Sequence, residues 1–114
     1  MNTIAPITIT KALDGLMLRA AATAENIANA NSPNYRAVAV RFEERLRAAA
    51  AQGADAVRAV RPETVLAPQP ALGGEMRLDL EMATAAQTAM RYAALIDILG
   101  RQMQLDRAVI AGGR

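Results

Sequence analysis

Apolar residues recur with helical spacing in the first part of the chain. Five of them are separated by four, three, four and three residues: Leu13, Met17, Ala20, Ala24 and Ile27. This is the spacing of an a/d seam over two heptads, and an ordinary amphipathic helix shows it as well. Thr10 is a suitable N-cap. The pattern therefore predicts a helix from about residue 10, after an irregular segment 1–10 that contains Pro6.

The last third of the chain predicts a longer helix, from about Leu78 to Ala111. It contains no proline and one interior glycine, Gly100. At 1.5 Å per residue, more than thirty residues give a rod of roughly 45–50 Å. One short N-terminal helix cannot cover so broad an apolar face, so we expect part of it to bury against other chains. The main apolar stripe, with Tyr92 beside it, comprises Met82, Ala86, Ala89, Ala93, Ile96, Gly100, Met103 and Ile110.

Between these helices, the sequence predicts a turn, an extended segment and a loop. The first helix should end near residues 29–31, because asparagine tolerates the left-handed backbone of a helix C-terminus. Pro33 and Asn34 fit the central positions of a β-turn. Residues 35–42 alternate in a way that favours an extended segment, followed by a helical 42–51. Residues 52–74 indicate a loop or hairpin, with a possible strand at 57–60.

These elements make one elongated, mainly α domain. Residues 1–47 hold the first helix, the turn and the extended segment; residues 48–77 are a loop or small hairpin; residues 78–114 are the long helix. The chain of 114 residues has 53% apolar residues, but only 3% aromatic residues. A core rich in alanine buries little area per residue, so we expect other subunits to supply part of the stability.

Composition excludes most catalytic chemistry. The chain has no cysteine and no histidine, and its 11 acidic residues are scattered among 13 basic ones. No paired acid/base site, metal-ligand cluster or phosphate-binding glycine loop is visible. We therefore expect no enzyme, no cofactor, no metal and no small-molecule substrate. No segment has the length and hydropathy of a membrane span, and no conventional secretory signal is present.

Charge gives little support for nucleic-acid binding. The net charge is +2, and the nearest basic cluster is interrupted by Glu43 and Glu44. A nucleic-acid-binding patch normally collects its charge and interleaves it with aromatic residues. A solvated face or an acidic protein partner is the favoured interpretation of this cluster, which comprises Arg36, Arg41, Arg45 and Arg47.

The segment AENIANANSPNYR, residues 24–36, concentrates polar hydrogen-bonding groups in a chain otherwise rich in alanine. It resembles the N-terminal signature of the rod and hook proteins of bacterial flagella, roughly A-x-N-[IL]-A-N-[AV]-[DN]-[ST]-P-G-Y-[KR]. Val40 to Glu43, with Leu46, is similar to the continuation found in proximal rod members of that family. The matched residues of particular interest are Asn26, Ile27, Asn29, Asn31, Ser32, Pro33, Asn34, Tyr35, Arg36 and Phe42.

The C-terminal part, from Glu81 to Arg114, is also similar to the proximal rod members. Three departures from the family pattern stand out. Asn34 replaces the usual glycine, which is tolerable because asparagine also adopts positive φ. Arg41 stands where an acidic residue is common, and the polar entry to the C-terminal helix is reduced to residues 73–75.

The resemblance implies a structural subunit of the flagellar basal body. It implies that the terminal helices pack as an antiparallel coiled coil and stack with other rod subunits in the periplasm, helping to transmit torque. Implied partners are other rod subunits, membrane-ring or junction proteins and the flagellar type III export apparatus, which needs no cleaved signal. The coiled-coil residues would be Leu13, Met17, Ala20, Ala24, Met82, Ala86, Ala89, Tyr92, Ala93, Ile96 and Met103.

The asparagines suggest how the motif works. Asn26 and Asn29 lie about one helical turn apart, and we expect their amides to tie the helix end to the turn at residues 32–35. Tyr35 and Arg36 could then contact an adjacent subunit; simple helix capping is the alternative. For the whole chain, the main alternative function is a cytoplasmic helical adaptor or chaperone that binds a partner helix. A basic nucleic-acid-binding module comes third.

Overall fold

The chain folds as two long helices with a small αβ unit between them. A computed structural model describes residues 4–69 and 75–112. These residues span 64 × 25 × 17 Å. In chain order the elements are α1 (Ile4–Ala28), β1 (Val38–Arg41), α2 (Glu43–Ala50), α3 (Ala54–Ala59), β2 (Glu63–Leu66) and α4 (Leu78–Gly112). The predictions of a mainly helical fold and of a long C-terminal helix are confirmed.

Helix α1 begins at Ile4, so the prediction of an irregular segment before residue 10 is wrong for the residues described there. Pro6 is tolerated because the first four N–H groups of a helix have no partner within it. The hydroxyl of Thr8 donates to the Ile4 carbonyl at 2.6 Å, and that of Thr10 donates to the Pro6 carbonyl at 2.9 Å. Thr10 therefore lies inside the helix and is not its N-cap.

The middle of the chain forms a two-stranded antiparallel sheet. Val38 pairs with Leu66 and Arg41 with Glu63, so β1 and β2 run side by side over four residues. The predicted extended segment and the helix that follows it are confirmed. Within the predicted loop or hairpin at 52–74, the described residues instead form α3 and β2, and β2 pairs with β1, outside that segment. The strand predicted at 57–60 is wrong, because residues 54–59 form α3 and the strand lies at 63–66.

The short helix α3 has a local explanation. Gly53 adopts a φ of 115°, which lets the chain reverse between α2 and α3. Asp55 lies in the first turn of α3, where a negative charge interacts favourably with the helix dipole. Val57 is fully buried against the core, so its β-branched side chain packs from a helix rather than from a strand. The Lys11 ammonium donates to the Val60 carbonyl just after α3, at 3.1 Å.

The buried apolar core lies between α1 and the αβ unit. Every fully buried apolar side chain among the described residues belongs to α1 or to the segment from Val40 to Val57. Helix α4 packs along α1 and contributes Tyr92 and Leu95, both partly buried, to this cluster. The end of α1 meets the start of α4, where the Asn26 amide donates to the Glu81 carboxylate at 3.0 Å.

Candidate functional site

Asn26 is the centre of the asparagine-rich motif. Its side chain is 1% exposed, and it lies in the last turns of α1. The amide oxygen accepts from the Tyr35 hydroxyl at 2.9 Å and from the Val38 N–H at 3.0 Å. The amide nitrogen donates to the Val38 carbonyl at 2.8 Å and to the Glu81 carboxylate at 3.0 Å. Both donors and both acceptor positions of the amide are therefore used.

The paired bonds between Asn26 and Val38 replace a neighbouring strand. An antiparallel partner exchanges N–H and C=O bonds with one residue in this way, and here one side-chain amide makes both. Two residues further along β1, the Arg19 guanidinium donates to the Val40 carbonyl at 2.7 Å. Side chains of α1 thus occupy the edge of β1 that faces away from β2, and no strand can add there.

The turn after α1 is built by Asn29 and Ser32. The Asn29 amide nitrogen donates to the Glu25 carbonyl at 3.0 Å, and its oxygen accepts from the Ser32 hydroxyl at 3.1 Å. The Tyr35 N–H donates to the Ser32 carbonyl at 3.3 Å, and Asn34 has a φ of 63°. The prediction of a β-turn with Asn34 at positive φ is confirmed, and Asn26 and Asn29 both tie α1 to residues 32–38.

The Tyr35 hydroxyl links the turn to this network. The pKa of Tyr35 is raised above 10.0, mainly because the phenol is desolvated and also because the Glu25 and Glu81 carboxylates lie nearby. A phenol whose pKa is at or above 10.0 is protonated at neutral pH, so the hydroxyl can donate to Asn26. Tyr35 therefore serves the fold of the motif within one chain, while the neighbouring Arg36 stays exposed.

A second cluster fastens the start of α2 to α1. The two guanidinium NH groups of Arg19 donate to the Glu43 carboxylate at 2.6 and 2.8 Å. The same guanidinium lies over the Phe42 ring, 4.9 Å from its centroid. The pKa of Glu43 is lowered, chiefly by the hydrogen bond from Arg19. Phe42, matched in the sequence motif, is buried where α1 carries Gly15.

Gly15 makes room for the Phe42 ring. A Cβ atom at residue 15 would lie 2.5 Å from the Phe42 ring carbons, closer than real Cβ contacts. The sequence identified Phe42 but not Gly15, Arg19 or Glu81. Gly15 had a usable signal, since a glycine inside a helical pattern often marks a close approach by another group. Arg19 and Glu81 carried no sequence signal of their role, because single charged residues on a helix are common.

The other motif residues lie on the surface. Asn31, Ser32, Pro33, Asn34 and Arg36 are exposed, and Ile27 and Asn29 are partly buried. The basic cluster is also dispersed. Arg45 pairs with Glu63, and the Arg36 guanidinium donates to the Ala67 carbonyl at 3.4 Å.

The predicted coiled-coil residues lie largely beside one another on one side of the helix pair. An apolar groove of about 410 Å³ runs between α1 and α4. Its lining includes Met17, Ala20 and Ala24 from α1, and Ala89, Tyr92 and Ala93 from α4. Leu13 is buried, whereas Met17, Ala20 and Ala24 are exposed. The stripe on α4 continues beyond the groove in both directions through Met82, Ala86, Ile96 and Met103, all of which are exposed.

Helix α4 faces α1 with a different row of residues. Its less exposed positions are spaced by three and four and include Glu81, Ala85, Thr88, Tyr92 and Leu95. This row is offset by about one residue from the predicted stripe. The predicted stripe is therefore left open in the single chain, and it stays a prediction for packing between chains.

Within residues 4–69 and 75–112, no group of acidic side chains could hold a metal ion. No helix in the same ranges is both long enough and apolar enough to cross a bilayer.

Neither a protein-family model nor a curated protein sequence matches the chain.

Proposed function

We propose that the chain is a structural subunit of the proximal rod of the bacterial flagellar basal body, similar to the rod protein FlgB. The observation that carries the proposal is the Asn26 network. The residues that resemble the axial signature act together: they end α1, form the turn and hold β1 in place. The cooperation of the matched residues in one hydrogen-bond network supports the proposal.

The proposed mechanism is assembly rather than catalysis. Helices α1 and α4 form an antiparallel coiled coil in each subunit, and the open apolar stripes bury against neighbouring subunits in the periplasmic rod. Such stripes suit assembly, since exposed contiguous apolar surface marks interaction sites. Methionine, present as Met17, Met82, Met90 and Met103, adapts its shape to slightly different neighbours.

The proposed partners follow from this role. They are further copies of the chain, other rod subunits, membrane-ring or junction proteins, and the type III apparatus that exports the subunit without a cleaved signal. A rigid assembly of such subunits would help transmit torque. The exposed Arg36 beside the turn is the motif residue best placed to reach an adjacent subunit.

The apolar groove also fits the alternative function, a cytoplasmic adaptor or chaperone that binds a partner helix. The two functions differ in location. An adaptor stays in the cytoplasm, whereas a rod subunit copurifies with basal bodies.

The decisive experiment is electron microscopy of cell envelopes from a strain that lacks the gene, beside a complemented strain. We expect membrane rings without rods in the deletion strain and complete rods after complementation. Intact rods and filaments in the deletion strain would contradict the rod function and favour the adaptor. Complementation with Asn29→Ala, which loses the bonds to Glu25 and Ser32, should reduce rod assembly more than export. Gln52→Ala, at an exposed position outside the matched motif, is the control.

A further inference from the structure

Two neighbouring rows of side chains on α4 have the spacing needed to face α1. The row that packs on α1, here called the packed row, comprises Glu81, Ala85, Thr88, Tyr92 and Leu95. The row beside it, here called the open row, comprises Met82, Ala86, Ala89, Ala93 and Ile96, all of them exposed. The two rows are offset by one residue, which corresponds to a rotation of about 100° around the axis of an α-helix. Turning α4 by that angle would therefore put the open row in the place of the packed row.

Apolar burial alone does not favour the packed row. Each row carries two large apolar side chains, Tyr92 and Leu95 in the packed row and Met82 and Ile96 in the open row. The other members of the open row are alanines, whereas the packed row also contains a carboxylate and a hydroxyl group. Burying such polar groups is unfavourable unless they are hydrogen-bonded. A specific contact must therefore select the packed row.

The bond between Asn26 and Glu81 is that contact. The Asn26 amide nitrogen, on a side chain that is 1% exposed, donates to the Glu81 carboxylate at 3.0 Å. Among the described residues, this is the one hydrogen bond between α4 and either α1 or the αβ unit. The ion pair of Arg91 with Glu43 is longer, at 3.8 Å, and about half exposed, so it contributes little. A rotation of 100° would bring Met82 to the place of Glu81 and leave a buried N–H of the amide without its acceptor, which is costly.

We infer that Glu81 is a positioning residue: through Asn26, it fixes the rotation of α4 on α1 and so selects which apolar row of α4 stays exposed. A single polar contact can select one helix register among apolar alternatives of similar stability. Asn26 then couples the turn after α1 to the face that α4 presents to solvent. The inference concerns the isolated chain and goes beyond the proposed function.

Single cysteines can report on the rotation, because the chain contains no cysteine of its own. Thr88→Cys reports on the packed row, where Thr88 is 3% exposed, and Ala89→Cys reports on the open row. The measurement is the rate at which each thiol of the dilute, purified chain reacts with a small maleimide. With Glu81 present, we expect Ala89→Cys to react at least about tenfold faster than Thr88→Cys. With Glu81→Ala, the order should reverse, because residue 89 takes the place of residue 88 against α1.

The slower reaction of Ala89→Cys in the Glu81→Ala background is the distinguishing result. A variant that merely loosened or unfolded α4 would make both thiols react fast, and that outcome overturns the inference. Glu81→Gln keeps an acceptor for the Asn26 amide and should preserve the original order. Gln87→Cys, exposed and on the far side of α4 in both rotations, should react fast in every background. An unchanged order with Glu81→Ala, or a reversed order with Glu81→Gln, also overturns the inference. Envelope microscopy of the deletion strain tests the rod function separately.

Discussion

Asn26 and Val38 are joined by two hydrogen bonds that run in opposite directions between one side-chain amide and one backbone residue, at 2.8 and 3.0 Å. The amide takes the place of a third strand. A helix thereby closes the edge of a sheet that has only two strands, and a two-stranded sheet on its own is at best marginally stable.

Asn26→Ala should destabilise the chain strongly. It leaves the Val38 N–H and the Tyr35 hydroxyl, both partly buried, without their acceptor, and it removes the bond to Glu81. We expect a loss of about 2–4 kcal/mol in the free energy of unfolding. Urea denaturation of the dilute chain, followed by circular dichroism, measures it. Asn31→Ala, at an exposed site, should change stability by less than about 0.5 kcal/mol; equal losses in both variants would refute the role of Asn26.

Gly15→Ala and Gly100→Ala should have opposite effects. Both replace a helical glycine by alanine. The higher helix propensity of alanine by itself stabilises a helix by up to about 1 kcal/mol. At Gly15 the added Cβ meets the Phe42 ring at 2.5 Å, whereas at Gly100 nothing lies within 4 Å. We expect Gly15→Ala to cost about 1–3 kcal/mol because the ring must move, and Gly100→Ala to be neutral or stabilising. Thermal unfolding compares the two variants. A Gly15→Ala variant as stable as the wild type would contradict the close packing of the Phe42 ring on Gly15.

Arg19→Lys should weaken the attachment of α2 to α1. A lysine ammonium cannot bind both Glu43 oxygens, reach the Val40 carbonyl and lie flat on Phe42 at once. We expect a loss of about 1–2 kcal/mol in unfolding free energy. The control is Arg47→Lys, at an exposed position of α2. If the two variants unfold at the same urea concentration, the geometry of the guanidinium does not matter.

Glu43 should make the chain sensitive to acid. Its pKa in the folded chain is lowered from 4.5, chiefly by the Arg19 hydrogen bond. Its stabilising contribution is therefore full above pH 4.5 and is lost as the pH falls below that value toward the lower folded pKa. Glu43→Gln should flatten this part of the stability profile, whereas Glu44→Gln at the exposed neighbouring position should not. Urea unfolding at a series of pH values gives the dependence of stability on pH for the wild type and for each variant. Parallel profiles for the wild type and Glu43→Gln would exclude a contribution of Glu43 to acid sensitivity.

The sequence predicted the backbone conformation best where the residues themselves restrict it. Pro33 and Asn34 have few conformations open to them, and the turn they predict is present. The start of α1 was missed because Pro6 and the isolated β-branched residues beside it show no sustained helical pattern. In the structure Pro6 falls where no N–H is needed, and the threonine hydroxyls bond back to the helix.

Long-range relationships were harder to predict. Val57 carries the same β-branched signal in a strand or a helix, and only its burial against the core distinguishes them. On α4, several rows of residues are apolar, so periodicity alone could not indicate which row faces α1. The most apolar row is the open one. The row that packs on α1 contains Glu81 and Thr88, and a search for apolar residues does not identify these two polar positions as contacts.

Helix α4 is the longest element of the chain, yet none of the described, fully buried apolar side chains belongs to it. The fully buried apolar core therefore lies within α1 and residues 40–57, and α4 packs against it only through partly buried side chains such as Tyr92 and Leu95. Backbone amides in the distal part of α4 should accordingly exchange with solvent sooner than those of α1, because opening there disturbs no core contact. The longest helix of the chain is thus also the one that exposes the most large apolar side chains to a neighbour.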